Sequence, residues 1–230
     1  MRSTQALNAL GRSLSNKVHK FRRLLHLTVC VLGIALPAIA APSDLDPAFG
    51  SGGKVIWSPN NQSAFGLGMA LQPDGKIVMV GGNFADPGNL GFVVARYNAN
   101  GGLDTSFGSN GWITVTFGYS REAAKTVAIQ PDGKIVVGGN LYNGLFDIGI
   151  VRFNANGSLD NSFDGDGKTI VNYSGSQGSW DDDCASIKVA NDGKIVFAGD
   201  TSGASADIQL NVGAIERGRL ARSIVRRTVC

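Results

Sequence analysis

Histidine is confined to the start of this 230-residue chain, since His19 and His26 are its only two. Everything beyond Ala41 therefore lacks an imidazole, which excludes a Ser-His-Asp triad, a Cys-His pair and the usual His-bearing zinc sites within this one chain. Cysteine is almost as scarce. Of Cys30, Cys184 and Cys230, the first lies in the leading apolar run and the last is the final residue, so no disulfide framework can be read. Cys184 falls where Gly66 and Ala124 stand in related segments and reads as a small buried strand residue. A phosphate-binding loop is also missing: Gly81-Gly82 and Gly138-Gly139 follow strands without dinucleotide spacing or a helix after them.

Long apolar runs are absent as well. Leu24 to Leu36 is the longest, short of the about 20 residues a membrane span needs. It follows Arg2, Arg12, Lys17, Lys20, Arg22 and Arg23 and leads into Pro37-Ala38-Ile39-Ala40. A basic flank, a short apolar segment and small residues at Ala38 and Ala40 predict a signal peptide over 1–40, cleaved before Ala41, with an uncleaved N-terminal anchor as the alternative. A secreted, periplasmic or cell-surface location follows.

Positive charge is scarce once the ends are set aside. The overall +3 conceals six basic and no acidic residues in the first 40, and five Arg against one Glu in the last 16; residues 41–214 hold 10 basic and 17 acidic side chains, a net of −7. The expected folded part is acidic, which excludes a nucleic-acid partner argued from the basic pI.

What the chain has is repetition. Gln130-Pro-Asp-Gly-Lys-Ile-Val-Val-Gly-Gly-Asn140 recurs from Gln72 and from Ala190. Its Asp74, Asp132 and Asp192 are spaced 58 and 60 residues apart; Leu45-Asp-Pro-Ala-Phe-Gly50 recurs at Leu103 and Leu159, spaced 58 and 56. Arg96-Tyr-Asn-Ala-Asn-Gly101 returns as Arg152-Phe-Asn-Ala-Asn-Gly157. Markers drifting together at one period indicate tandem duplication of a supersecondary unit. Residues 41–214 are thus expected to hold three repeats of about 58 residues.

Four strands can be read in the second unit: Trp112 to Phe117, Ala123 to Ile129, Lys134 to Gly139 and Phe146 to Phe153. Pro131-Asp132-Gly133 supplies a tight turn in which Gly takes the left-handed conformation, so the second and third strands pair antiparallel. Ile77-Val-Met-Val80, Ile135-Val-Val137 and Ile195-Val-Phe197 are apolar at successive positions. Neighbouring strand residues point to opposite faces, so these strands must be covered on both sides. An all-β, β-propeller-like array of about three four-stranded antiparallel blades satisfies that requirement. Because propellers typically use about 4 to 8 blades, three make an incomplete arc. Such an arc is expected to self-associate, as two arcs, or to be unstable alone.

Leu-Asp-x-x-Phe-Gly at 103, Gln-Pro-Asp-Gly-Lys-Ile-Val-Val-Gly-Gly at 130 and Arg-Phe-Asn-Ala-Asn-Gly-Ser-Leu-Asp at 152 resemble the motifs of the delta-60 repeat family, secreted bacterial proteins of β-propeller type. The resemblance covers Leu45 to about Leu210 and implies the fold. It carries no reaction or ligand onto these positions.

The third copy departs from the pattern. Ala206-Asp-Ile-Gln-Leu210 matches Phe146-Asp-Ile-Gly-Ile150, but Val212-Gly-Ala214 stands where Arg-Phe-Asn is expected. The basic segment 215–230 is expected to be disordered or the product of an altered reading frame.

Candidate sites are few. Asp160, Asp164 and Asp166 form an oxygen-rich loop that suggests either calcium or turn capping; copy two has Asp104, Gly108 and Asn110 there, which favours capping. Trp180 beside Asp181, Asp182 and Asp183 suggests either glycoside chemistry through Asp181 and Asp183, or an exposed turn leading into a strand. No catalytic, cofactor-binding or metal residue is assigned. The reading is a non-catalytic scaffold or binding module for protein or carbohydrate; the alternative is a polysaccharide-active hydrolase or lyase.

Overall fold

The computed structural model describes residues 45–83, 91–172, 180–203, 208–216, 219–220 and 225–228; the expected signal peptide lies outside them. The chain divides at Asp44 into two compact units, and the described residues all belong to the second. They form three antiparallel sheets in succession. The first runs β1 (Ala64–Leu71), β2 (Ile77–Asn83), β3 (Phe92–Tyr97), β4 (Trp112–Val115); the second runs β5 (Arg121–Ile129), β6 (Ile135–Tyr142), β7 (Phe146–Phe153), β8 (Lys168–Val171). The third runs β9 (Trp180–Val189), β10 (Ile195–Gly203), β11 (Ile208–Glu216), with β12 (Arg219–Leu220) and β13 (Val225–Thr228) both on the far edge of β11. This is an incomplete β-propeller of three blades. Among the described residues no helix is long and apolar enough to cross a membrane.

The hairpin motif folds as its chemistry requires. Gly133 N donates to Gln130 O at 2.9 Å, Gln130 N donates to Lys134 O at 2.8 Å, and Gly75, Gly133 and Gly193 take φ of +82°, +83° and +81°. A side chain other than glycine is disfavoured there. The two glycine pairs lie inside β2 and β6 rather than after them. Each first strand bulges, between Gly66 and Gly68 in the first sheet and between Ala124 and Thr126 in the second. The bulge drives its backbone against the neighbouring strand, so a Cβ at Gly81, Gly139 or Gly199 would run into the carbonyl of Phe65, Ala123 or Asp183.

The doubly apolar strands fill two seams. Val78, Val80, Phe92, Val94 and Phe107 of the first blade pack on Ala124, Val127, Ile135 and Val137 of the second. On its other face the second blade offers Val136, Ile148, Ile150 and Phe163 to Cys184, Ile187, Ile195 and Phe197. Alternate residues of β6 thus serve opposite seams, as side-chain alternation along a strand demands.

Two expectations need correction. Trp112–Val115 is not the first strand of the second unit; it pairs with β3, Ala95 opposite Trp112, and closes the first sheet from outside. The loop 98–111 returns the chain antiparallel to β3, held by Asp104 N to Arg96 O and Arg96 N to Gly111 O. The third-copy alignment also shifts by two residues: Ala198 faces Val212 as Gly138 faces Ile150, so Leu210, not Ile208, stands in the place of Ile148. β11 runs to Glu216, and Arg219–Leu220 and Val225–Thr228 form β12 and β13. Leu220 and Arg219 pair with Ile215 and Glu216 on the edge of β11, where a longer loop returns the chain in the other blades.

Residues 45–57 repeat the outer strand and loop of a blade whose inner strands are absent from the described chain. Gly50 N donates to Asn100 O at 2.8 Å, matching Gly108 N to Asn156 O at 2.9 Å one repeat later. Trp57 lies against Tyr97 and Trp112, with ring centroids 6.5 and 5.7 Å away.

Candidate functional site

The seam between the second and third blades gathers a polar cluster that local sequence does not announce. Lys125, the bulge residue of β5, places its Nζ 2.5 Å and 2.8 Å from the two oxygens of Asp183 on β9. Asn140 of β6 donates from Nδ2 to Asp183 Oδ1 at 2.7 Å and accepts from Cys184 N at 3.1 Å. Asp200 of β10 stands directly opposite Asp183 in the antiparallel register, so the two carboxylates share a face.

Their environments push them apart. Partial burial raises the Asp183 carboxyl, but hydrogen bonds from Lys125 and Asn140 and the lysine charge outweigh it and hold the group below its ordinary value. Asp200 is raised, first by burial and then by the charge of Asp183. Two carboxylates with opposite shifts are the usual signature of an acid and a base. Here the ionised member is already neutralised by a lysine.

The acids picked out from the sequence are structural in different ways. Asp182, expected in an exposed turn with its neighbours, is fully buried in β9 and accepts from Thr201 Oγ1 at 2.8 Å. Strand pairing of β9 with β10 through Trp180 overrides the local turn propensity of three acids. The side chains of Trp180 and Asp181 lie outside the described residues. Asp160 accepts Arg152 Nε at 2.7 Å and Ser162 Oγ at 2.7 Å. Asp166 accepts Lys168 N at 2.9 Å, and Asp164 occupies a left-handed turn position at φ +53°. Among the described residues no three His, Cys, Asp or Glu side chains are grouped closely enough to hold a metal ion. Cys184 is buried against Gly138, and burial pushes its thiol up to about 12.

Residues 72–107 and 130–163 match a family described as a domain of unknown function, DUF5122, beta-propeller. The repeats are propeller repeats. Both matched stretches run from the hairpin motif to the loop after the third strand, so they span β2 with β3 and β6 with β7. No curated protein matches. Among solved structures, the catalytically inactive H270A virginiamycin B lyase from Staphylococcus aureus, crystallised with quinupristin, shares 13% identity over 75% of this chain and 73% of that one, with a TM-score of 0.30.

Lys125, Asn140 and Asp200 escaped the sequence reading because the repeats hide them. Their signal is divergence at three repeat positions: Gly82, Asn140 and Asp200 are equivalent, as are Phe65, Ala123 and Asp183, and at the bulge Leu67, Lys125 and Ala185. At the equivalent place in the first blade, Phe65 lies over Gly82.

Proposed function

We propose that this chain is a secreted or surface-associated, non-catalytic β-propeller repeat module that serves as a scaffold or as a binding module for protein or carbohydrate. One observation carries the reading: the repeated acids are spent on the fold itself. Asp104 and Asp160 each hold an arginine of their own blade, and Asp183 ties the second blade to the third. Internal pairing of that kind leaves recognition to the loops at the blade edges. The test is binding to an array of glycans and secreted proteins, with product release monitored alongside. Binding without turnover supports the module, and turnover of any polysaccharide overturns it.

A second reading, a polysaccharide hydrolase or lyase, draws support from the opposite shifts of Asp183 and Asp200. On that reading product release disappears in both Asp183→Asn and Asp200→Asn while the fold persists. Activity that survives both removes it.

A further inference from the structure

The two internal seams are the same interface made twice, and each end of the arc presents one half of it. At the seams, Ala124 and Val127 of the second blade and Cys184 and Ile187 of the third are buried against the preceding blade. Repeat equivalence places Gly66 and Met69 of the first blade at those positions. There the face is open: Met69 is 63% and Leu71 66% exposed. At the other end, Val94 and Ile150 are buried by the following blade, whereas Val212, in the same register position, is 44% exposed. One end offers what the other end lacks.

The leading segment sharpens the match. Lys54-Val55-Ile56-Trp57 occupies the repeat position of Trp112–Val115 and Lys168–Val171, the outer strands β4 and β8. It keeps their docking onto the next blade through Gly50 and Asn100, yet Val55 to Trp57 join no sheet and Ile56 is 95% exposed. Among the described residues it is an outer strand without inner strands. The third blade is the reverse: among the described residues, β9, β10 and β11 have only the tail strands β12 and β13 where a looped-back outer strand stands in the other blades.

We propose that two copies of the chain join head to tail, each laying the open face of its β1 and β2 on the trailing face of the other's β10 and β11. Lys54–Trp57 then lies along the outer edge of the other copy's β11 in place of β13. Six sheets result, within the about 4 to 8 blades that close a propeller. The contact is heterologous and closes by two-fold repetition, so no half-interface remains open. The inference does not depend on whether the module is catalytic.

Sedimentation velocity of the wild-type chain, Met69→Glu, Val212→Glu and a mixture of the two variants tests the proposal. Wild type is expected at twice the single-chain mass at micromolar concentration, and each variant at the single-chain mass, since each spoils both seams of the ring. The mixture is expected to recover the doubled mass, because one seam then joins two unmodified faces. Leu71→Lys repeats the Met69→Glu result should that variant fail to fold, with circular dichroism reporting the fold. A monomeric wild type, a dimer that survives Val212→Glu alone, or a mixture that stays monomeric overturns the proposal.

Discussion

Arg96 and Asp104, eight residues apart, meet at 2.8 Å beneath the ring of Phe107, whose centroid lies 4.6 Å from the guanidinium carbon. Arg152 and Asp160 repeat the pair at 2.7 Å with Phe163 at 4.8 Å. Arg96 also donates from Nη1 to Ala155 O at 2.5 Å, so it fastens its own blade's outer loop and the turn of the next blade together. Removing Arg96 leaves the buried Asp104 with Lys76, 3.3 Å away, as a remaining countercharge, so the loss should stay at or below the about 3–5 kcal/mol of a fully unpaired buried charge. Arg96→Ala should lower the urea midpoint, whereas Arg96→Met with Asp104→Leu should lose less than either single change. Equal losses in the single and paired variants would show that packing, not charge, holds the loop.

Acid should loosen the same loops. Burial alone would raise the Asp104 carboxyl, but bonds from Ser106, the Arg96 charge and Lys76 bring it down to about 2 from 3.8. A carboxyl lower in the folded state than in the unfolded chain stabilises the fold above the unfolded value, and that stability is lost as pH falls through the folded one. The loss from Asp104 thus falls between about 3.8 and about 2. Asp132, Asp160 and Asp183 are also depressed and act in the same direction, while the raised Asp200 opposes them. Thermal midpoints followed into acid should drop through this window, and Asp104→Asn should flatten the drop. An acid-insensitive midpoint would contradict it.

The hairpins were legible because their determinants are local. Asp132 and Gly133 specify the turn, and the unbroken Ile135-Val136-Val137 run specifies burial on both faces, which the two seams supply. The blade phase was not legible. Trp112 pairs with Ala95, and nothing within 112–115 says whether the strand joins the sheet before it or after it; the loop held by Arg96 and Asp104 decides. The polar cluster escaped for a related reason. Lys125 and Asp183 are 58 residues apart, and each contact exists only once two blades have docked.

Gly139 offers a sharper check of the bulge. A Cβ there would meet the Ala123 carbonyl and the Ala124 Cα, both backbone atoms that cannot rotate aside. Gly139→Ala should cost more than the about 1–3 kcal/mol usual for overpacking a core, since strand must shift against strand. Gly144→Ala, with open space around its Cβ but φ of +101°, carries only backbone strain and should cost less. Chemical unfolding of the two variants side by side ranks them. The reverse order would mean that the close strand approach relaxes easily.

Asp183→Asn separates the structural role of the seam cluster from its electrostatics. The ion pair with Lys125 is half-buried, so its loss should lower stability by only about 1 kcal/mol. The effect on Asp200 should be clearer. The charge of Asp183 helps to raise the Asp200 carboxyl, opposed by Lys125. With a neutral amide opposite it and the lysine still present, Asp200 should titrate lower. Carboxyl-carbon NMR of wild type and variant across the acid range reads that shift directly. An unchanged Asp200 titration would assign its elevation to burial alone, and a rise would mean that Lys125 turns away from the seam when its partner is lost.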